Sequence, residues 1–456
     1  MEDERASSFS TPPGRERRPR KNAEILSFTD VRQEGSGKRE FPVFYEKERK
    51  SEPKLEIPIG KKIPDRNQPN LSPHYETHFQ ATDTDGHEPA KTRQGTSYVP
   101  IQHRSMMMQL KLDPVEFWYN EDTFADGLVS LCRQFRFDGI LVSLHGHSDA
   151  WKKDLIEREE IEPGKVRLHY PDRTETHSWI DLPLVEFKSP GTTPSIETVD
   201  IEKDIPDEIN YIPVSNNLHF PLCKDRMFDI FDLIHGKVGD EVSIHGEITS
   251  PFDYFLDFLG YENGLIALLL EPEKSKRILN KFTRGITALA EGMCRAPIDA
   301  VKISSPFAGQ GFISTEAYRE FVLPFETRII DAIKAAGKKV YIHTCGSIGD
   351  RLELMRESGA SGLECLDPAP VGNVDIEDAF NRIGKSMFIK GNIDSINTLL
   401  FGSDEKIRND VRHILETGMT KGRGFILSTA CSIAPKVPKE NILKLSELVE
   451  EFGYYE

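Results

Sequence analysis

From residue 97 onward, short apolar runs alternate with longer stretches of helical period. The runs lie at 97–101, 139–144, 242–245, 300–304, 339–343, 362–366, 386–390 and 424–428, and most are rich in Val, Ile, Leu and Phe. That composition marks strands buried on both faces of a parallel sheet. Helical patterns fill the gaps at 122–135, 253–270, 272–295, 315–336, 350–358, 375–383, 403–418 and 438–452. Ser314 is placed to cap the fourth of these, and Pro324 to kink it. Eight strands with intervening helices predict an α/β fold, the (β/α)8 or TIM barrel, with the first strand the weakest.

Two regions break the alternation. Residues 150–213 carry runs at 166–170 and 176–182 around Pro171-Asp172-Arg173, which predict an antiparallel hairpin. This is an insertion after the second strand, expected to cap the barrel mouth. Residues 1–75 lack hydrophobic periodicity and include the basic run from Arg15 to Lys21. They read as an extended or partly disordered N-terminal arm, leaving 76–456 as the barrel domain.

Composition narrows the function classes. The chain has 456 residues, 38% hydrophobic and 29% charged, with a formal net charge of -16. An acidic balance argues against general nucleic-acid binding, and no apolar run is long enough to cross a bilayer. The N-terminus lacks the apolar core of a secretory signal, so the cytoplasm is the expected location. Six cysteines, at 132, 223, 294, 345, 365 and 431, are too sparse for a disulfide framework and suit reduced thiols available to a metal. Self-association is left open.

The chemistry collects where such barrels keep it, at the C-terminal ends of the strands. Reading those ends in order gives His103, His145 and His147, His245 and Glu247, Ser304 and Ser305, His343 and Cys345, Glu364 and Cys365, Asn392 and Asp394, and Cys431. His343 and Cys345, two positions apart, with the distant Cys431, form a partial shell suited to zinc, which prefers imidazole and thiolate ligands. Three protein ligands leave a fourth position that can open to substrate. Cys345 precedes Gly346 and a helix expected to begin near Ser347, whose N-terminus would favour the thiolate. Strand alternation turns Cys365 away as a core thiol and leaves Glu364 with the polar set, in reach of the metal. His145, His147, His245, Glu247 and Asn392 are candidates for orienting substrate or moving protons. Each also has a structural reading, as a hydrogen-bonded or packed strand-end group. A closed structural zinc site in a binding protein is a further alternative, but its ligands would not be spread over separate strand ends.

The stretches Ile303-Ser304-Ser305-Pro306, Phe312-Ile313-Ser314, Tyr318 to Pro324, Ile342-His343-Thr344-Cys345-Gly346, Gly391-Asn392-Ile393-Asp394 and Ser428-Thr429-Ala430-Cys431 resemble the uroporphyrinogen decarboxylase superfamily, in its zinc-dependent methyltransferase branch. Pro435 and the run from Pro438 to Ile442 extend the likeness. It is strong over 240–456, fainter over 100–150 and not evident before 95. That superfamily is similar in fold to cobalamin-independent methionine synthase, which holds zinc by His-x-Cys, a later Glu and a later Cys. The resemblance therefore implies His343, Cys345, Glu364 and Cys431 as zinc ligands, with Glu364 the least secure because the fourth ligand varies within the branch. The decarboxylases use no metal and rely on an N-terminal arginine-rich motif that is not found here, so a porphyrinogen decarboxylase is the weaker alternative.

Two methyl-transfer roles follow from the resemblance. Zinc can hold a thiol as thiolate that accepts a methyl group from methylcobalamin, as in coenzyme M methyltransferases, or act as a Lewis acid on a methyl donor while Co(I) of a corrinoid protein takes the methyl group. The insertion favours the second, because Trp151, Tyr170, His177 and Trp179 could enclose an aromatic donor such as a methoxylated ring, unless they only pack the insertion. No Asp-x-His-x-x-Gly corrinoid motif occurs in the chain, so the cobalamin is expected on a partner protein.

Overall fold

The computed structural model describes residues 97–98, 103–144, 149–189, 191, 193–214, 218–421 and 424–454. The arm expected over 1–75 lies outside them, as do His145 and His147.

Eight strands form one parallel sheet: β1 Ser97–Tyr98, β2 Gly139–Ser143, β9 Ser243–Thr249, β10 Ala300–Ser304, β11 Lys339–Thr344, β12 Gly362–Cys365, β13 Phe388–Ile393 and β14 Phe425–Thr429. The intervening numbers belong to the insertion: β3 Glu157–Glu162, β4 Lys165–His169, β5 Arg173–Ser178, β6 Asp181–Phe187, β7 Tyr211–Pro213 and β8 His219–Pro221. The barrel order is β1-β14-β13-β12-β11-β10-β9-β2. The two ends meet at Tyr98, whose carbonyl accepts from Asp138 N (2.9 Å) and whose N–H donates to the Asp138 carboxylate (2.7 Å). Asp138 immediately precedes β2, so these two bonds close the barrel where β1 is too short for a full ladder.

Most helices stand where periodicity places them, including Glu121–Phe135, Pro272–Met293, Ile376–Ile383, Asp404–Lys421 and Lys439–Phe452. Ser314 caps Thr315–Phe321 by accepting from Ala317 N at 3.1 Å, and the chain breaks before Leu323–Ala335, which carries Pro324 at its start. The single helix expected over 253–270 is instead two, Pro251–Leu259 and Tyr261–Leu270. Gly260 divides them at φ +80°, a conformation that ends the first helix and that side-chain-bearing residues rarely adopt. The helix expected beside Cys345 begins only at Leu352, too far on to act on that thiol.

The expected hairpin proves to be the centre of a four-stranded antiparallel sheet, β3-β4-β5-β6. The run at 176–182 spans the end of β5, a turn and the start of β6. Both outer strands escape a pattern search: β3 is almost wholly charged and largely exposed, with no apolar alternation to read. The insertion also continues past 213 into the β7–β8 hairpin.

Inside the barrel, strand alternation stacks side chains in levels two residues apart. Ala300, Tyr341, Phe388 and Ile426 form a packed floor. Gly362 faces Phe388 in register, and a Cβ there would lie 2.3 Å from that ring, so glycine makes room for it. Two residues further along the same strands stand Lys302, His343, Lys390 and Ser428.

Arg351, fully buried, ties the chain leading away from β10: its guanidinium donates to the carbonyls of Ala308 (2.8 Å) and Ile313 (2.9 Å) and pairs with Asp350. Arg351→Met should leave those carbonyls unsatisfied and destabilise the protein by about 1–3 kcal/mol, read as a lowered urea midpoint. Among the described residues, no helix is long and apolar enough to cross a membrane.

Candidate metal centre and substrate cavity

His343 is the last residue but one of β11, and Cys345 directly follows the strand. His343 Nε2 lies 3.1 Å from Cys345 Sγ, and Cys345 Sγ lies 4.0 Å from Cys431 Sγ, just beyond β14. The neighbouring His343 and Cys345 thus meet the distant Cys431 at the strand ends.

Cys365 joins them. The ligand atoms of His343, Cys345 and Cys365 all lie within 4.8 Å of one another. The expectation that Cys365 turns away into the core rested on extended backbone. Cys365 (φ +86°) and Leu366 (φ +56°) leave that conformation, and the alternation ends with it. Cys365 Sγ donates to Asp367 at 3.2 Å, and the same Asp367 oxygen accepts from Gly346 N at 2.7 Å, linking the two strand ends. Asn392 donates to the Leu366 carbonyl at 3.1 Å, bracing this bend rather than facing the main cavity.

Glu364 points inward, but not at the thiols. One carboxylate oxygen accepts from His343 Nδ1 at 2.7 Å, on the ring edge opposite Cys345. Lys390 pairs with the other oxygen, and Lys302 stands 3.4 Å from the first. Burial would raise the Glu364 carboxyl, yet Lys390 and Lys302 outweigh it and hold the group well below the usual range. Glu364 is therefore a fixed anion behind the imidazole. It keeps the proton on Nδ1 and leaves Nε2 free as a donor atom, the usual arrangement behind a metal-binding histidine.

The chain of charges continues from Lys302 to Glu247 at 2.8 Å, and Glu247 also accepts from the Ser143 hydroxyl. His245 lies elsewhere. The strand runs on to Thr249, so His245 sits within the barrel, between Ser243 Oγ (3.1 Å) and Tyr341 Oη (3.0 Å), fully buried.

A cavity of about 370 Å³ opens over these groups. Its polar lining includes Ser143, Glu247, Asp253, Asp257, Lys302, Ser304, His343 and Ser432. Trp118, Phe220, Tyr261 and Phe307 supply aromatic walls, and the insertion contributes Leu182, Ile212, Pro213 and Val214. Trp151, Tyr170 and His177 do not reach the cavity. Trp151 and Tyr170 pack with Val115, Val166 and Leu168, His177 lies against Tyr119, and Trp179 donates to the Leu112 carbonyl at 2.6 Å. Of the two readings of these aromatics, packing of the insertion is the one the structure supports.

Lys302 and Lys390 were missed as site residues, though each is a lone charge within an apolar strand, a readable signal. Trp118 and Phe220 had none, since nothing in their local sequence separates a cavity wall from a core.

The donor set suits a divalent zinc ion. Contact with Cys365 raises the Cys345 thiol, contact with Cys345 raises that of Cys431, and burial pushes Cys365 up to about 12. Clustered thiols resist ionising together unless a cation compensates them, and a bound metal reverses that cost.

A family model for uroporphyrinogen decarboxylase (URO-D) matches residues 185–452. A methylcobamide:CoM methyltransferase of Methanosarcina acetivorans is 25% identical over 229 residues, covering 50% of this chain and 64% of that protein. Another, of Methanosarcina barkeri, is 26% identical over 226 residues, covering 50% of this chain and 63% of its own length. The chain thus spans less than two thirds of these relatives. A uroporphyrinogen decarboxylase of Chlorobaculum parvum is 26% identical over 285 residues, covering 60% of this chain and 75% of that one. A solved methyltransferase from Methanosarcina mazei shares the fold, with a TM-score of 0.59 at 18% identity over 80% of this chain and 95% of its own. With the family match extending over more than half of its length, this chain belongs to the uroporphyrinogen decarboxylase (URO-D) family.

Proposed function

We propose that this protein is a zinc-dependent methyltransferase that moves a methyl group from a small methylated donor, foremost a methoxy-aromatic ether, to the Co(I) corrinoid of a separate protein. The observation that carries the reading is the imidazole and three thiols gathered beside an aromatic-walled cavity. His343, Cys345 and Cys431 would hold the ion, with Cys365, rather than Glu364, nearest to the fourth place. Zinc there supplies Lewis acidity toward the heteroatom of the donor.

The remaining work falls to the chain. Trp118, Phe220, Tyr261 and Phe307 offer flat apolar surface that holds an aromatic ring and keeps water out. Glu364 fixes the His343 tautomer. Lys302, balanced by Glu247, gives the cavity a positive group that can steer a donor carboxylate. Against a decarboxylase, the lining sets Lys302 and His343 beside Glu247, Asp253 and Asp257, a poor match for a polycarboxylate macrocycle.

A second reading, methyl transfer between methylcobalamin and a thiol, has in its favour the activity for which several relatives are named. An anaerobic assay separates the two: free cob(I)alamin with methoxybenzoates, beside methylcobalamin with small thiols. Methylcobalamin formed from an ether supports the first reading; demethylation of methylcobalamin by a thiol alone supports the second.

A further inference from the structure

A buried carboxyl pair adjoins the cavity. Asp253 lies in the first turn of the helix Pro251–Leu259, only 6% exposed, and faces the cavity. Ser250 Oγ donates to its Oδ2 at 2.5 Å and accepts from its backbone N–H at 3.1 Å. Ser305 Oγ donates to Ser250 Oγ at 3.1 Å and stands close enough to both Asp253 and Glu326 to act on each. Glu326, from the helix Leu323–Ala335, is buried behind them, and its Oε1 has no hydrogen-bond partner among the described residues.

No lysine or arginine forms an ion pair with Asp253 among the described residues, whereas Glu247, in the same cavity, has Lys302. Burial raises Asp253 from its ordinary value to about 8, with Glu326 pushing the same way against the Ser250 hydroxyl. Two carboxyls in one cavity, one paired with a cation and one buried without, is the arrangement that separates a fixed anion from a proton donor.

Building on the ether-demethylation reading, we propose that Asp253 is the general acid of this cavity, protonating the oxygen of the donor as its methyl group departs. The methyl C–O bond breaks and its electron pair stays on oxygen. Asp253 delivers its proton to that oxygen, releasing a phenol or alcohol. The lone pair of Co(I) forms the new bond to carbon, so cobalt is oxidised to Co(III) as the methyl group arrives. The Asp253 carboxylate, which itself lines the cavity, then regains a proton from solvent.

The test uses the full chain, zinc-loaded, with free cob(I)alamin and ring-substituted methoxybenzoates whose leaving phenols differ in acidity. Asp253→Asn should slow demethylation of the least activated ether about 10²–10⁴-fold, the usual worth of a general acid. Nitro-substituted ethers, which leave without help, should lose far less, so the dependence on leaving-group acidity steepens. The wild-type rate should fall as pH rises through the Asp253 ionisation, and the variant should lack that limb. Glu326, Asp257, Tyr261, Glu247, Lys302 and His343 also face this region, so the variant comparison assigns the limb.

A thermal readout is independent of activity. A carboxyl raised on folding keeps a proton that the unfolded chain has already lost, so it subtracts stability as pH rises from about 4 to about 8. Asp253→Asn should therefore match the wild-type Tm near pH 4 and exceed it at pH 8. Equal leaving-group dependence in variant and wild type would overturn the acid assignment while leaving the demethylase reading intact. If the wild-type protein forms no methylcobalamin from any ether, both fall together.

Discussion

Cys345→Ala and Cys431→Ala should each abolish stoichiometric zinc binding and methyl transfer together, while the barrel stays folded. Both residues lie in loops just beyond their strands, so their loss removes metal donors without touching the packed floor of Ala300, Tyr341, Phe388 and Ile426. Zinc affinity should fall by more than the ~10–100-fold that an outer-shell partner typically contributes. Glu364→Gln should give that smaller loss, because its carboxylate acts on the metal only through His343. Cys365→Ala should fall with the other thiols if it fills the fourth place. Metal content by mass spectrometry, with circular dichroism for the fold, reads all four variants. Retained stoichiometric zinc and full activity in both the Cys345 and the Cys431 variant would remove the basis for the proposed centre.

Lys390→Met should have the largest effect on stability, about 3–5 kcal/mol, the scale for breaking a buried ion pair by removing one partner. Lys390 and Glu364 are both fully buried, and Lys390 also donates to Ser428 at 3.2 Å. Its loss leaves Glu364 with Lys302 and His343 alone and the Ser428 hydroxyl without this donor. Urea denaturation should show the lowered midpoint. In the double variant with Glu364→Gln, the two costs should not add, because the second change removes the charge that the first one stranded. Strict additivity would mean that the two groups are not coupled as their contact implies.

This lysine also shows how far local pattern carries. The strand Phe388–Ile393 is readable from its apolar residues, and Lys390 within it is conspicuous. Its partner is not, because Glu364 lies on the neighbouring strand, and only the register of β12 on β13 sets the two side by side. His245 and Glu247 teach the same point. They occupy the same face of one strand, two residues apart, and one is a packed interior group while the other reaches the cavity. Which one does so depends on where the strand stops, and strand ends are the least certain part of a pattern. Trp151, Tyr170, His177 and Trp179 failed as cavity candidates for a related reason: hydrophobic character says that a ring is buried, not against what.

By itself, the sequence determined the parallel barrel, an interruption of the helical run near Pro324, an insertion after the second strand, and the placing of His343, Cys345 and Cys431 at strand ends. Those features follow from period, composition and the rule that barrel chemistry gathers at strand ends, all of which act over a few residues. Only the tertiary structure decided that Cys365 joins the thiols, that Glu364 stands behind the imidazole, and that Asp253 is buried in the cavity wall without a cation. Each depends on a backbone turn at positive φ, a cross-strand register or a desolvated packing site. These are properties of residues far apart in the chain, and no local period encodes them.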